Sequence, residues 1–501
     1  MGRFYVTTPI YYPNADPHIG HAYTTVYADS LARFHRLLGD ETFFLTGTDE
    51  HGLKLQRAAE ERGLHPKEFV DQMAEKFKRY WAMLDISYDR FIRTTDPDHE
   101  RLVKHVALEM YRRGFIYREK YSGWYCVSCE KFYSPGEYIV VEGKPYCPIH
   151  RKPLEWVEED TYYFRMSEFQ DYILKVLEEE KRVYPEQYAR EVASKIRKEG
   201  LRDVSIARPK SRVWWGVEAP FDPDYTIYVW FDALLNYITG AGYLEDRGRF
   251  NRLWPEAHHV IGKDILWFHT AVWFSMLKAI DVEPPKKVIV HAFLIRRGLK
   301  MGKSAGNVVR IEDLLERYNG SDGARYVLMR IFNPHKDVEY TAELLDSIYN
   351  SELADNYGNL VRRVGVLARK KLGGTVESET VDEGLATAIE KAARKYVEEM
   401  DNYRIQEALA AVMDLLREAN AYINREKPWE KGEPRRELYS LLEVIRASTT
   451  MLHPVIPKAT VRLAEAFGFK IEEGSLRDQV TPGGGRTYRV SEAPILFRKV
   501  K

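Results

Sequence analysis

RFYVTTPIYYPNADPHIGHAYTTVYADSLARFHRLLG, residues 3–39, decides the fold. Its first eight residues are β-branched or aromatic at most positions and predict a strand. YYPNAD is a polar, proline-containing turn. From Pro17 onward, Ile19, Ala22, Tyr23, Val26, Leu31, Phe34 and Leu38 recur at helical spacing, and the pattern stops at Gly39. Asp16 suits the N-cap and Pro17 the first helical position. His18 and His21 then share one face of the first turn, beside unpaired N–H groups and the positive end of the helix dipole. Such a place holds anions. Taken alone, two histidines at a helix start are more often surface residues than catalytic ones. A metal reading is weaker, because no carboxylate or cysteine follows on that face at ligand spacing.

Working outward, ETFFLTGTDEHG (41–52) is an apolar strand ending in a polar turn, followed by helical text to about residue 85. Strands alternating with helices predict a parallel sheet with crossover helices. YTIYVWFDALL (225–235), HHVIGKDI (258–265) and KVIVHAFLI (287–295) are expected to complete that sheet. Residues 341–470 are helical in pattern, with Gly373–Gly374 closing one helix. TPGGGRTYRVSEAPILFRKV (481–500) predicts a turn and one or two strands folding back. The expected divisions are 1–115 and 210–295 for the two halves of the sheet domain and 116–209 for an insertion. A doubly basic loop with the region around it, 296–345, and a helical region with the final strand segment, 346–501, follow.

Composition narrows the class. The chain has 501 residues, with 75 Lys and Arg against 75 Asp and Glu, so only local patches could bind phosphates. No run of 18 apolar residues occurs and the N-terminus lacks signal-peptide sections, which predicts no membrane span and a cytoplasmic location. Three cysteines exclude a disulfide scaffold. All three lie in the turn-rich stretch from 116. Cys126 and Cys129 form C-x-x-C; Cys147 and His150 form C-x-x-H. This spacing of thiolates and imidazole fits a tetrahedral zinc site. With four protein ligands no position stays open, so the expected zinc is structural, one per chain. A redox dithiol normally opens a helix after a strand, whereas Tyr, Ser and Gly surround this pair.

GLKMGKSAGNVV (298–309) joins strand-like text to the helical RIEDLLERY. It is small, flexible and doubly basic. Gly298 lies four residues before Gly302, so P-loop spacing fails. No G-x-G-x-x-G follows the first strand either. Lys300 and Lys303 could still close over a polyphosphate.

Together, HIGH (18–21) and KMGKS (300–304) resemble the two signatures of the class I aminoacyl-tRNA synthetases. TTPIYY, TGTDEHG, the cysteine module, YVWFDALLNY, IGKDI, GNLVRR and KPW extend the likeness across nearly the whole chain, to the methionyl-tRNA synthetase family. Gly302 stands where that family's loop usually has serine. The resemblance implies a Rossmann-like parallel-sheet catalytic domain with an inserted zinc module, then an α-helical bundle that binds the anticodon. It implies ATP-dependent ligation of L-methionine to tRNA(Met) through methionyl-adenylate, with Mg2+ accompanying ATP. The reaction's nucleophiles belong to the substrates, so the protein's task is alignment and charge stabilisation. His18, His21, Lys300 and Lys303 would act on the phosphates. Asp49 would hold the amine, and Ile10, Tyr12, Trp230, Ala233, Leu234, Tyr237 and His269 would line the side-chain pocket. Gly20, Gly262 and Asp264 would contact ATP. Asn359, Arg363 and Trp429 would meet the CAU anticodon. Without the likeness, Trp230 and Tyr237 read first as core packing, and Trp429 reads equally as a buried core residue.

A branched-chain sister synthetase would need a much larger editing insertion than 116–209 allows. A cysteine enzyme would need an open zinc position. A non-catalytic tRNA-binding protein would not need both signatures, and a plain nucleotidyltransferase would not need GNLVRR and KPW. A monomer is expected, since family members with a dimerising C-terminal domain run longer.

Overall fold

The computed structural model describes the chain apart from Met1 and residues 129–130, 134–135, 302–305 and 307; the side chains of 121, 131–132, 158–159 and 300 also lie outside the described set. Its centre is a six-stranded sheet built from β1 (Arg3–Tyr11), β2 (Glu41–Thr48), β3 (Arg90–Arg93), β4 (Val183–Tyr184), β5 (Ala257–Gly262) and β6 (Lys287–His291). The order is β3-β2-β1-β5-β6-β4 and every pairing is parallel. Chain order reverses between β1 and β5. A crevice for ligands therefore opens at the carboxyl ends of these two strands.

Three expectations need correction. In 225–235 only Tyr225–Ile227 is strand; it pairs antiparallel with Ala207–Pro209 outside the central sheet, and Val229–Leu234 is helical. An apolar run this short carries no decisive period, and buried Phe231, Leu234 and Leu235 suit a helix as well as a strand. In 287–295 the central strand ends at His291, and Leu294–Arg296 joins a small separate sheet with Leu299–Lys300 and Val338–Glu339. The first helix, α1 (Ile19–Leu38), starts two residues later than Asp16 and Pro17 suggest, with His18 as its N-cap. Asp16 instead pairs with Lys76 at 2.9 Å. Gly39 ends α1 at φ 87°, a conformation glycine adopts without penalty. The edge strand β4 comes from the 116–209 stretch.

Two large cores flank the sheet. One lies on the α1 face and continues unbroken from Val26 and Phe34 through Tyr326 into Leu409 and Leu442 of the helical region. The other packs Leu45, Val106, Phe231 and Trp273 on the opposite face. The helical region runs through Asn359–Leu372, Glu383–Asp401, Ile405–Glu426, Arg435–Leu452 and Pro457–Phe467. The C-terminal segment returns as expected, Tyr488–Arg489 pairing with Thr375–Val376. A buried joint ties this region to α1. The Arg325 guanidinium lies 2.7 Å from the Asp29 carboxylate and donates to the carbonyls of Leu84 at 3.1 Å, Pro454 at 2.9 Å and Val455 at 2.7 Å.

Candidate active site

A cavity of about 520 Å³ occupies the crevice at the carboxyl ends of β1 and β5. Strand β1 reaches it through a bulge: between Thr7 and Ile10 its register against β2 slips. Pro9 sits in the slip, where a missing N–H costs no ladder bond. The bend turns Ile10, Tyr11 and Tyr12 into the cavity wall. Asp49, just past β2, lines it too, its backbone N–H held by the Tyr11 carbonyl at 2.9 Å.

The opposite wall comes from residues 229–241. Trp230, Ala233, Leu234 and Tyr237 line it, and His269 joins them from the helix after β5. Trp230 stacks on Phe268 at 4.0 Å. His269 Nδ1 lies 2.9 Å from the Ile265 carbonyl, which only accepts, so Nδ1 carries the proton. Nε2 is then an acceptor, and the Tyr237 hydroxyl donates to it at 2.7 Å. Burial pushes His269 down to about 4, so the ring is neutral near pH 7. The result is an apolar slot with a hydroxyl oxygen at a set position.

The third wall is the start of α1. His18 Nδ1 accepts from the Gly20 backbone at 3.0 Å, and His21 Nδ1 accepts from the His18 backbone at 3.0 Å, a reciprocal capping box made of two imidazoles. Because both Nδ1 atoms accept, both neutral rings carry their proton on Nε2. The cap thus orders two N–H donors beside the dipole's positive end. Gly20 is required here: a Cβ would lie 2.8 Å from His18 Cε1. Gly262, at the end of β5, and Asp264 complete the cavity on the β5 side.

Every described residue expected to bind methionine or ATP therefore lines one cavity. Gly302 and Lys303 lie outside the described residues, as does the Lys300 side chain. The flanks are placed: Met301 is buried and lines the cavity, the Val309 carbonyl accepts from Ile19 N at 3.2 Å, and Arg310 bridges His18.

Several lining residues carry no sequence signal, among them Thr24, Lys54, Asn236 and His291. Thr24 lies one turn past His21 and its hydroxyl meets His291 Nε2 at 2.8 Å, joining α1 to β6. Beneath the wall, buried Asp232 meets His51 Nδ1 at 2.7 Å and His99 Nε2 at 2.8 Å. Burial alone would lower His51, but the Asp232 carboxylate outweighs it and the net direction is upward. This pair clamps the TDEHG turn, with Asp49, to the helix that carries Trp230 and Ala233.

Outside the cavity, Cys126 and Cys147 are buried, and with His150 their ligand atoms lie within 4.8 Å of one another. Cys129 lies outside the described residues. In the helical region the Arg363 guanidinium sits 5.7 Å from the Trp429 ring and donates to Asn424 Oδ1 at 2.8 Å. Trp429 is 39% exposed, and Asn359 is exposed on the same helix as Arg363.

The family model described as tRNA synthetases class I (M) matches residues 4–153 and 142–365, and that for the anticodon-binding domain of tRNA ligase matches 382–478. Methionine–tRNA ligase of Thermotoga maritima is 40% identical over 93% of this chain and 76% of that protein. The Streptomyces coelicolor enzyme of the same name is 39% identical over 95% of this chain and 91% of its own length. The Mycobacterium tuberculosis methionyl-tRNA synthetase in complex with methionyl-adenylate superposes with a TM-score of 0.91 at 36% identity, covering 99% of this chain and all of that one. A cavity at the sheet's reversal point, walled by a histidine-capped helix and an aromatic slot, is thus found on a chain matched along both its parts, and the chain belongs to the methionyl-tRNA synthetases of class I.

Proposed function

We propose that the cavity residues divide the work of ATP-dependent methionine ligation as follows. The carrying observation is the convergence of Asp49, the Trp230–Tyr237–His269 slot and the His18–His21 cap on one cavity. Asp49 holds the α-ammonium. Trp230, Ala233, Leu234, Ile10 and Tyr12 enclose the thioether chain, with the Tyr237 hydroxyl near it. The carboxylate then faces the α-phosphate of ATP, whose ribose lies against Gly262 and Asp264. Carboxylate oxygen attacks the α-phosphorus, the bond to the bridging oxygen breaks, and pyrophosphate leaves with methionyl-adenylate formed. His18 and His21 donate Nε2–H to phosphate oxygens as charge grows on them, and Lys303, with Lys300, serves the same charge from the loop. Mg2+ travels with ATP. In the second step the terminal ribose hydroxyl of tRNA takes the methionyl group and AMP departs. Pyrophosphate exchange measured with each of twenty amino acids tests the assignment; exchange dependent on methionine alone is expected, and equal exchange with leucine or cysteine would overturn it.

Asn359, Arg363 and Trp429 form the anticodon contact in this reading. An exposed indole backed by a guanidinium is a stacking platform for an unpaired base. Trp429→Ala is expected to remove about 1–3 kcal/mol of binding to tRNA bearing CAU. Methionine-dependent exchange, which needs no tRNA, stays near normal, and melting temperature hardly moves. Parallel loss of exchange, charging and thermal stability would return Trp429 to a packing role.

Cys126, Cys147 and His150 are donors of the right chemistry and closeness for a tetrahedral zinc, with Cys129 as the fourth ligand. A bound zinc would staple the small Tyr133–Leu154 core, which is too small to hold itself. Cys126→Ser is expected to lower the zinc content of purified protein and to raise protease cutting within 116–164. Native protein without zinc by elemental analysis would refute the site.

A further inference from the structure

The cavity wall holds a polar side chain that the reading above does not use. Asn236 is 1% exposed and lines the cavity from the same helical stretch as Ala233 and Tyr237. Its amide nitrogen is committed, donating to the Ala233 carbonyl at 2.7 Å. That bond fixes the amide's orientation. The carbonyl oxygen, Oδ1, has no hydrogen-bond donor among the described residues. A buried acceptor in that state is costly, and a ligand bearing an N–H or O–H removes the cost.

We infer that Asn236 Oδ1 is a second acceptor for the substrate's α-ammonium, making it a specificity-determining residue for amino acids over their 2-hydroxy and deamino counterparts. The inference rests on methionine binding in this cavity, as proposed above. The chemistry selects the partner. Methionine's thioether and carboxylate only accept, so its ammonium is its sole donor. ATP offers donors on its ribose and adenine, but its assigned wall is Gly262 and Asp264, at the end of β5 and in the turn after it. Asn236 stands instead beside Ala233 and Tyr237 of the methionine wall. An ammonium carries three N–H bonds, and one carboxylate does not satisfy all of them once water is excluded. Asp49 with Asn236 supplies two acceptors of different charge, and a neutral amide adds one without bringing a second anion towards the attacking carboxylate.

The test uses full-length protein, methionine-dependent ATP–pyrophosphate exchange, and 2-hydroxy-4-(methylthio)butanoate as a competitive inhibitor. Asn236→Ala is expected to raise KM for methionine roughly 10- to 100-fold, the loss of one hydrogen bond to a charged group. KM for ATP stays within about twofold, since no ATP contact is removed. Inhibition by the hydroxy analogue weakens much less, because a hydroxyl has one donor and Asp49 can accept it. Asn236→Leu, similar in shape, guards against a cavity artefact and is expected to behave like Asn236→Ala. A rise in KM for ATP with methionine unaffected would assign Oδ1 to the nucleotide and overturn the inference. Equal weakening of methionine and the hydroxy analogue, or no change in either, would also overturn it. Wild-type exchange with methionine, run alongside, keeps failure of this inference separate from failure of the functional assignment.

Discussion

His21→Asn slows adenylate formation about 100- to 1,000-fold, or about 2.7–4 kcal/mol, while leaving the fold nearly as stable as before. The two ring nitrogens of His21 do separate jobs. Nδ1 accepts from the His18 backbone and so closes the helix cap. Nε2, protonated in consequence, is the donor offered to phosphate. An asparagine side chain places its oxygen where Nδ1 was and keeps the cap, but it is too short to put a donor at the Nε2 position. His21→Ala removes both, and should lose about 1 kcal/mol of stability in addition. His21→Gln can reach the outer position and should recover part of the rate. Pre-steady-state adenylate formation and thermal melting on the three variants check this. If His21→Asn formed adenylate at the wild-type rate, phosphate stabilisation by His21 would be wrong.

Arg325→Ala lowers unfolding free energy by about 3–5 kcal/mol at pH 7, the cost of leaving one member of a buried ion pair alone. Both Arg325 and Asp29 are fully buried. Three backbone carbonyls lose their donor in the same substitution. Burial raises the Asp29 carboxyl, yet Arg33 and Arg325 outweigh it and hold it down at about 2 against an ordinary 3.8. A carboxyl depressed on folding contributes stability that is present above its ordinary value and lost as pH falls through the depressed one. The gap between wild type and Arg325→Ala should therefore be widest near neutrality and narrow towards pH 2, as Asp29 takes up its proton. Urea unfolding at several pH values measures it. A gap that is constant with pH would mean that the carbonyl contacts alone carry the effect.

Chemistry that needs particular residue types in one short segment was readable from the sequence. HIGH opens a helix beside a cavity, and TGTDEHG ends a strand, because strand, turn and helix are each specified within a few neighbours. Where two side chains far apart in the chain make a feature, the sequence was silent. Asp232 is one more acidic residue until the fold sets His51 and His99 against it. Asn236 reads as an ordinary helical residue until the fold sets it in a cavity wall with its buried oxygen unpaired among the described residues. The helix 229–234 reads as strand in the sequence because a short apolar run fits both periods. The cap is hidden for another reason: Asp is the commoner N-cap, and two histidines capping each other have no compositional cue. Strand β4, two residues long, is below any period that a pattern could register.

The Arg325 joint bears on how this protein could be taken apart. One guanidinium ties together the Pro454–Val455 turn that follows Arg435–Leu452, Leu84 at the end of Pro66–Met83 and a carboxylate on α1. A fragment ending before residue 454 would keep the charge and lose two of its acceptors, so the catalytic half is not a module that can be expressed alone without repair. Replacing the helical region of this chain meets the same condition. A chimaera joined between 330 and 342 would work only if the incoming part presented the 454–455 turn to Arg325 in register. In this chain the place to cut is set by the joint and not only by the loops that connect the helices.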